Sequence, residues 1–140
     1  MLSSEIQLRV RYGETDRMGY AYYGNYPLYY EVGRTELMRN YGLTYKELED
    51  SGILLPVADL HVDYYSPALY DELLTIRTSI LELPTVKISF LYEIFNSTNQ
   101  LINKGTTTLV FVDSKTRKPC RPPRHFIDSI LTYFDQNKGL

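Results

Sequence analysis

Apolar and polar residues alternate near the start of the chain, with Ile6, Leu8, Val10 and Tyr12 on one side and Gln7, Arg9 and Arg11 on the other. A period of two marks a strand with one wet face, and Gly13 ends it. A polar, flexible loop follows over residues 14–19. The period then changes. Tyr26, Tyr30, Gly33, Leu37 and Tyr41 recur at helical spacing and form one stripe of a long helix. Gly24 or Asn25 is the expected N-cap, Pro27 is tolerated in the first turn, and Gly42 stands where a helix stops. A glycine inside such a stripe costs about 1 kcal/mol of helix propensity against alanine. Gly33 is therefore expected where the helix backbone lies close to a sheet. Thr44-Tyr45-Lys46-Glu47 has the capping-box pattern and predicts a short second helix to about Ser51.

Strands fill the next part of the chain. The first covers about residues 54–65 and is broken by Pro56, which predicts a bulge or an irregular start. Leu74, Ile76, Thr78 and Ile80 alternate with their neighbours, and so do Val86, Ile88, Phe90, Tyr92 and Ile94. Pro84-Thr85 and the cluster Asn96-Ser97-Thr98-Asn99 turn the chain. The last strand covers residues 101–113 and ends in Leu109-Val110-Phe111-Val112, apolar on both faces. Short connections imply antiparallel neighbours. Phe126, Ile130, Leu131 and Phe134 predict a short final helix. One long helix covers one sheet face; the other, carrying Leu91, Phe95, Val110 and Val112, predicts burial in an oligomer.

Length and composition narrow the class. The 140 residues fit a single domain, 44% hydrophobic and 23% charged, as in an ordinary globular protein. No apolar run approaches the roughly 18 residues that span a bilayer. The opening segment lacks the pattern of a secretory signal, so the cytoplasm is the expected location. A lone Cys120 leaves no internal disulfide and no cysteine-based zinc site, and no metal or cofactor is expected. A net charge of −2 argues against general nucleic-acid binding. That charge is segregated. Residues 115–124 hold five basic side chains and no acid, while the other 130 carry ten basic against 17 acidic, net −7. There are 14 tyrosines and no tryptophan, and nine of the tyrosines fall in the first 45 residues. They predict a wet-edged core, a subunit interface or an aromatic-lined pocket.

The candidate chemistry lies in the loop before the long helix. Asp16 sits just ahead of a helix N-terminus, whose unpaired N–H groups carry about half a positive charge and stabilise an oxyanion. A carboxylate facing such a terminus can attack a carbonyl or activate water, which makes an acyl-transfer site without serine, histidine or metal. The competing reading is an acid that caps or salt-bridges near the helix start.

The loop Glu14-Thr15-Asp16-x-x-Gly19, then Asn25-Tyr26, then Tyr29-Tyr30-Glu31-x-x-Arg34-Thr35-Glu36, resembles hot-dog-fold thioesterases of the 4-hydroxybenzoyl-CoA thioesterase type. The likeness extends through Val62-Asp63-Tyr64-Tyr65-Ser66-Pro67-Ala68, Asp71-Glu72-Leu73 and Val112-Asp113, about residues 5–125. It implies an α+β hot-dog fold, a five-stranded antiparallel sheet wrapped around one long helix, and hydrolysis of an acyl-CoA thioester. It places the catalytic acid on Asp16, as nucleophile or general base, and the electrophilic contact on the backbone N–H of Tyr23, where many members carry histidine. Gly19 then keeps the loop tight beside the substrate, and Asn25 and Tyr26 cap and brace the helix start. Glu31 is a second candidate carboxylate, weighed against a helix-surface salt bridge with Arg34. Glu14 reads as a solvated or structural acid, His61 and His125 form no dyad, and Cys120 is no nucleophile. Arg117, Lys118, Arg121 and Arg124 are candidate ligands for coenzyme A phosphates, against a solvated basic tail. An acyl carrier protein as carrier, or a non-catalytic acyl-CoA-binding module, are the alternatives. A homodimer or homotetramer is expected.

Overall fold

The structure, a computed structural model, describes residues 1–135. Strand β1 (Leu2–Arg9) leads through two 3₁₀ turns (Tyr12–Glu14, Tyr23–Asn25) into helix α1 (Tyr26–Asn40) and the short α2 (Tyr45–Asp50). Strands β2 (Ile53–Leu54), β3 (Val57–Tyr64), β4 (Leu73–Ile80), β5 (Lys87–Phe95), β6 (Leu101–Val110) and β7 (Val112–Asp113) follow, and α3 (Arg124–Asp135) closes the described chain. Five strands form one sheet in the order β1-β4-β5-β6-β3, every pair antiparallel. This is the α+β architecture that the sequence predicts, with α1 against β1, β4 and β5.

Two strands are shorter than their sequence pattern. The predicted strand over residues 54–65 splits at Pro56, which has no N–H for a ladder. Its second piece starts with a register shift between Val57 and Asp59. The predicted strand over 101–113 breaks at Phe111, whose N–H turns to the Val86 carbonyl instead. The two fragments, β2 and β7, pair with each other. At the N-terminus the alternation through Tyr12 stops early. Val10 is buried but Tyr12 is 81% exposed, because the chain leaves the sheet in the 3₁₀ turn.

The helix stripe docks as its spacing requires. Tyr26, Tyr30, Gly33 and Leu37 are buried. A Cβ on Gly33 would run into the Thr78 hydroxyl and stand 3.2 Å from Ile76 Cγ2, so helix and strand touch backbone to side chain. One turn earlier, the Tyr30 ring lies flat on Tyr92, centroids 4.3 Å apart. It also covers Gly105, and its hydroxyl donates to Asn103 Oδ1. Thr44 caps α2 through an N–H of Glu47 at 3.1 Å.

The outer sheet face is partly covered within one chain. Leu91, Phe95, Val110 and Val112 are half-buried within one chain. The Arg77 guanidinium lies 4.9 Å from the Phe95 ring centroid and is held by Glu5 and Glu93. The long Arg77 side chain thus covers part of Phe95. The more exposed apolar groups are elsewhere: Val57, Leu60 and Tyr64 on the edge strand β3, and Leu28 and Val32 on α1.

Gly33→Ala tests the close approach. Alanine favours the helix by about 1 kcal/mol, but overpacking costs about 1–3 kcal/mol. The thermal midpoint should fall by a few degrees; a higher midpoint would mean that α1 stands clear of β4.

Candidate active site

The segment between β1 and α1 folds on backbone bonds to its own residues and to residues 68–72. The Asp16 N–H donates to the Tyr20 carbonyl at 2.8 Å and the Gly19 N–H to the Asp16 carbonyl at 3.1 Å. Gly19 sits at φ 79 with open space around its missing Cβ; its contribution is a left-handed turn that costs other residues about 1–2 kcal/mol. Ala21 N–H donates to the Ala68 carbonyl and Tyr70 N–H to that of Gly19, which clamps the loop from the far side.

Asp16 is half-buried. Its Oδ1 accepts the Met18 N–H at 2.8 Å and the Tyr20 N–H at 3.3 Å. No hydrogen bond from a described residue reaches Oδ2. The Asp16 side chain therefore has one oxygen tied to its own loop and one available to a ligand. A cavity of about 260 Å³ opens beside it, lined by Asp16, Met18, Tyr20, Ala21, Tyr23, Tyr26, Tyr64, Tyr65, Ser66 and Pro67.

Tyr23 begins the 3₁₀ turn that runs into α1, so its N–H lacks an intrahelical acceptor. Among the described residues nothing else accepts it. Its carbonyl accepts the Tyr64 hydroxyl at 2.7 Å, and Tyr64 packs edge-on against Tyr26. Tyr26 Oη in turn accepts the Ala68 N–H. Asn25 stands at the N-cap but makes no capping bond; its Nδ2 donates to the Glu14 carbonyl at 2.7 Å. It braces the loop rather than capping the helix.

Glu14 joins the two halves of the site. Its Oε1 accepts the Arg11 N–H at 2.9 Å and the Tyr29 hydroxyl at 3.1 Å, and its Oε2 accepts Arg11 Nε at 3.1 Å. Its carbonyl accepts the Tyr22 N–H and the Asn25 amide. Burial pushes its carboxyl pKa up, but the bonds from the Arg11 backbone, the Arg11 side chain and Tyr29 outweigh that and hold it below the ordinary value. Burial first, then the Glu14 charge and hydrogen bond, drives the Tyr29 hydroxyl well above its usual range. Glu14 is thus a structural acid, with the three-residue spacing to Arg11 as its sequence signal.

The remaining predicted residues lie apart. Arg117 lines a separate cavity of about 530 Å³ with Tyr45, Leu48, Ile53, Leu54 and Val112. It follows a turn held by Asp113, whose carboxylate accepts the Lys115 and Thr116 N–H groups. Those backbone bonds hold the Asp113 carboxyl below its ordinary pKa. Lys118 and Arg121 are exposed beyond it, and Arg124 opens α3. This cavity adjoins the Val57 end of β3 and Asp16 the Tyr64 end, seven steps or roughly 23 Å along the strand. Glu31 does not line the Asp16 cavity. The expected Glu31–Arg34 bridge is absent among the described residues, because Arg34 turns inward to the Tyr45 and Tyr92 hydroxyls. His61 pairs with Asp63. Burial first, then the Asp113 charge, raises the Cys120 thiol pKa and leaves it a poor nucleophile. No group of three or more histidine, cysteine or acidic side chains suited to a metal occurs among the described residues. Tyr64, Tyr65, Ser66 and Pro67 line the Asp16 cavity, and their only mark in the sequence is their place in the resemblance.

Residues 10–130 match the family model of the thioesterase-like superfamily. The chain belongs to that superfamily. Relatives of this thioesterase-like chain span it almost end to end. YneP of Bacillus subtilis (strain 168) is 36% identical over 130 residues, 93% of this chain and 94% of its own. The acyl-CoA thioester hydrolase YbgC of Escherichia coli O157:H7 is 33% identical over 129 residues, covering 92% and 93%. The crystal structure of DHNA-CoA thioesterase from Staphylococcus aureus superposes with a TM-score of 0.89 at 34% identity, covering 100% of this chain and 97% of that one. These likenesses establish the hot-dog thioesterase fold.

Because the folded-state pKa of Glu14 is depressed, its carboxylate stabilises the fold above the ordinary value of 4.5, and that stabilisation disappears as pH falls through the lower folded value. Glu14→Gln should cost about 1 kcal/mol at pH 7 in urea denaturation. The gap from wild type should close below pH 4.5. A gap that stays constant with pH would show that the carboxylate charge is not the clamp.

Proposed function

We propose that this protein is a cytoplasmic acyl-CoA thioesterase that hydrolyses a thioester to a free acid and CoA. The observation that carries the reading is the meeting of the Asp16 carboxylate and the Tyr23 turn in one small aromatic cavity. The thioester carbonyl oxygen takes a hydrogen bond from the Tyr23 N–H, where the positive end of the helix dipole favours developing negative charge. Asp16 Oδ2 removes a proton from water as the water oxygen bonds to the carbonyl carbon. The tetrahedral oxyanion then collapses, the C–S bond breaks, and the CoA thiolate takes the proton from Asp16, which returns to its ionised form. In the nucleophilic route, Oδ2 itself bonds to the carbonyl carbon, the thiolate leaves, and water hydrolyses the resulting anhydride. Both routes require ionised Asp16. Gly19 holds the acid's loop, Asn25 ties that loop to the helix start, and Tyr26 supplies cavity wall beside the reacting carbonyl.

The reading includes a homodimer or homotetramer. Strand β3 pairs with β6 on one side only, and its Leu60 and Tyr64 side chains are 46% and 50% exposed. An open edge with apolar groups is a template for another strand, and a second copy of β3 fits it. Arg117, Lys118, Arg121 and Arg124 serve as phosphate ligands in this reading for a CoA whose far end reaches the Val57 end of β3, or for the site of a neighbouring copy. Light scattering at micromolar concentration should report a dimer or tetramer; a stable monomer would remove this part of the proposal.

Asp16→Asn keeps an Oδ1 acceptor for the Met18 and Tyr20 N–H groups and removes the charge. It should lower kcat on acyl-CoA by at least about 100-fold with little change in thermal midpoint. Glu31→Gln is the control and should stay near wild type. An active Asp16→Asn beside a dead Glu31→Gln would move the chemistry to the helix. Wild type that binds CoA yet hydrolyses no thioester would favour the binding module.

A further inference from the structure

The Tyr23 carbonyl lacks its α-helical partner for a reason written in the sequence. A carbonyl in an α-helix accepts the N–H of the residue four places on. Four places after Tyr23 stands Pro27, which has no N–H. The N–H proposed to polarise the thioester belongs to that same Tyr23, the first residue of the 3₁₀ turn Tyr23–Asn25. The helix start is therefore one bond short at the residue whose position matters most to the chemistry. The Tyr64 hydroxyl supplies the missing donor, reaching the Tyr23 carbonyl at 2.7 Å across 41 positions of the chain. Its mount is firm. The ring stands edge-on to Tyr26, centroids 5.2 Å apart. Tyr64 pairs with Asn103 in β6, and the next two N–H groups, of Tyr65 and Ser66, both donate to the Ile102 carbonyl at 2.9 and 3.1 Å. Burial first, then the neighbouring Tyr23, holds the Tyr64 hydroxyl above its ordinary pKa, so it keeps its proton and donates. Tyr26, beside it in the cavity wall, uses its hydroxyl as the acceptor for the Ala68 N–H instead.

Resting on the thioesterase reading, we infer that Tyr64 is a positioning residue for the reaction: its hydroxyl completes the turn that Pro27 leaves one bond short, and so holds the Tyr23 N–H against the thioester carbonyl oxygen. The loop between β1 and α1 then places the acid, and the edge strand β3 places the electrophilic donor. A donor fixed in advance gains most where negative charge develops, in the transition state rather than in the bound substrate. The Tyr64 hydroxyl therefore acts on kcat, and its effect is independent of which acyl group is attached to the carbonyl.

Steady-state kinetics of Tyr64→Phe, Pro27→Ala and the double variant on butyryl-CoA and benzoyl-CoA, with thermal midpoints alongside, test the assignment. Tyr64→Phe keeps the ring in the cavity wall and removes the donor. It should lower kcat by about 5-fold with KM little changed, by the same factor on both thioesters. Pro27→Ala restores an N–H at the place an α-helix uses, so in that background the Tyr64→Phe loss should shrink to about 2-fold or less, a coupling expected of two donors to one carbonyl. The full loss persisting beside Pro27→Ala, or a loss confined to one acyl group, would overturn the inference and leave Tyr64 as cavity wall. A kcat loss that tracks a collapse of the thermal midpoint would also overturn it, with folding as the cause. Unchanged kcat in Tyr64→Phe would remove the inference while leaving Asp16 and the thioesterase reading intact. Wild type that hydrolyses no acyl-CoA would defeat the thioesterase reading, and this assignment with it.

Discussion

The close seat of α1 on the sheet governs the rest of the molecule. Tyr30 lies flat on Tyr92 and over Gly105, and three residues later Gly33 lets the helix backbone meet Thr78 and Ile76. Large ring and missing side chain are complementary: β6 presents Gly105 and Thr107 where the tyrosines need room. The contact is also polar at its rim. Tyr30 reaches Asn103, Tyr92 reaches Thr107 at 2.6 Å, and Arg34 reaches Tyr45 and Tyr92. Burial drives the Tyr30 and Tyr92 hydroxyls above their usual pKa, so they stay neutral and serve as hydrogen-bond groups. A helix seated this way has little freedom to slide, and the position of its first turn follows from the position of its middle.

That first turn is half of the candidate site. The other half, the Asp16 loop, has little core of its own and borrows rigidity from its neighbours. Glu14 reaches Tyr29 on α1, Asn25 reaches back to the Glu14 carbonyl, and Tyr64 holds the Tyr23 carbonyl. Each bond crosses between elements, so side chains add to the backbone bonds from Tyr22 to Glu14 and from Asp16 to Tyr20 in holding acid and helix start in register. The proposed chemistry needs this, because a misplaced carboxylate forfeits much of the advantage of proximity.

The many tyrosines divide by depth. Tyr26, Tyr29, Tyr30 and Tyr92 are core, while Tyr20, Tyr23, Tyr64 and Tyr65 line the cavity. Core and pocket readings of the composition therefore apply to different members of the set, with Tyr26 belonging to both. A tyrosine suits these mixed places because its ring packs and its hydroxyl finds a partner at the boundary.

The sequence by itself determined what is local. Strand alternation in β4 and β5, the α1 stripe, Gly33 against a sheet, the Thr44 cap and the irregularity at Pro56 all follow from spacing and from the limits of glycine and proline. The loop motif likewise marked Asp16 and the helix start as one neighbourhood. Only the tertiary structure decided what joins residues far apart along the chain. Tyr64 and Ser66 line one cavity with Asp16 because β3 is the sheet edge that ends beside the loop, and the basic segment falls at the opposite end of the same strand. Phe95 on the outer face is covered because β4 lies between β1, which brings Glu5 to Arg77, and β5, which brings Glu93 and Phe95. Arg34 turns inward rather than pairing with Glu31 because two buried hydroxyls await it there. Periodicity records which face of an element is apolar; it carries no record of which partner that face meets, since strand order and helix seating are set by packing of the whole chain.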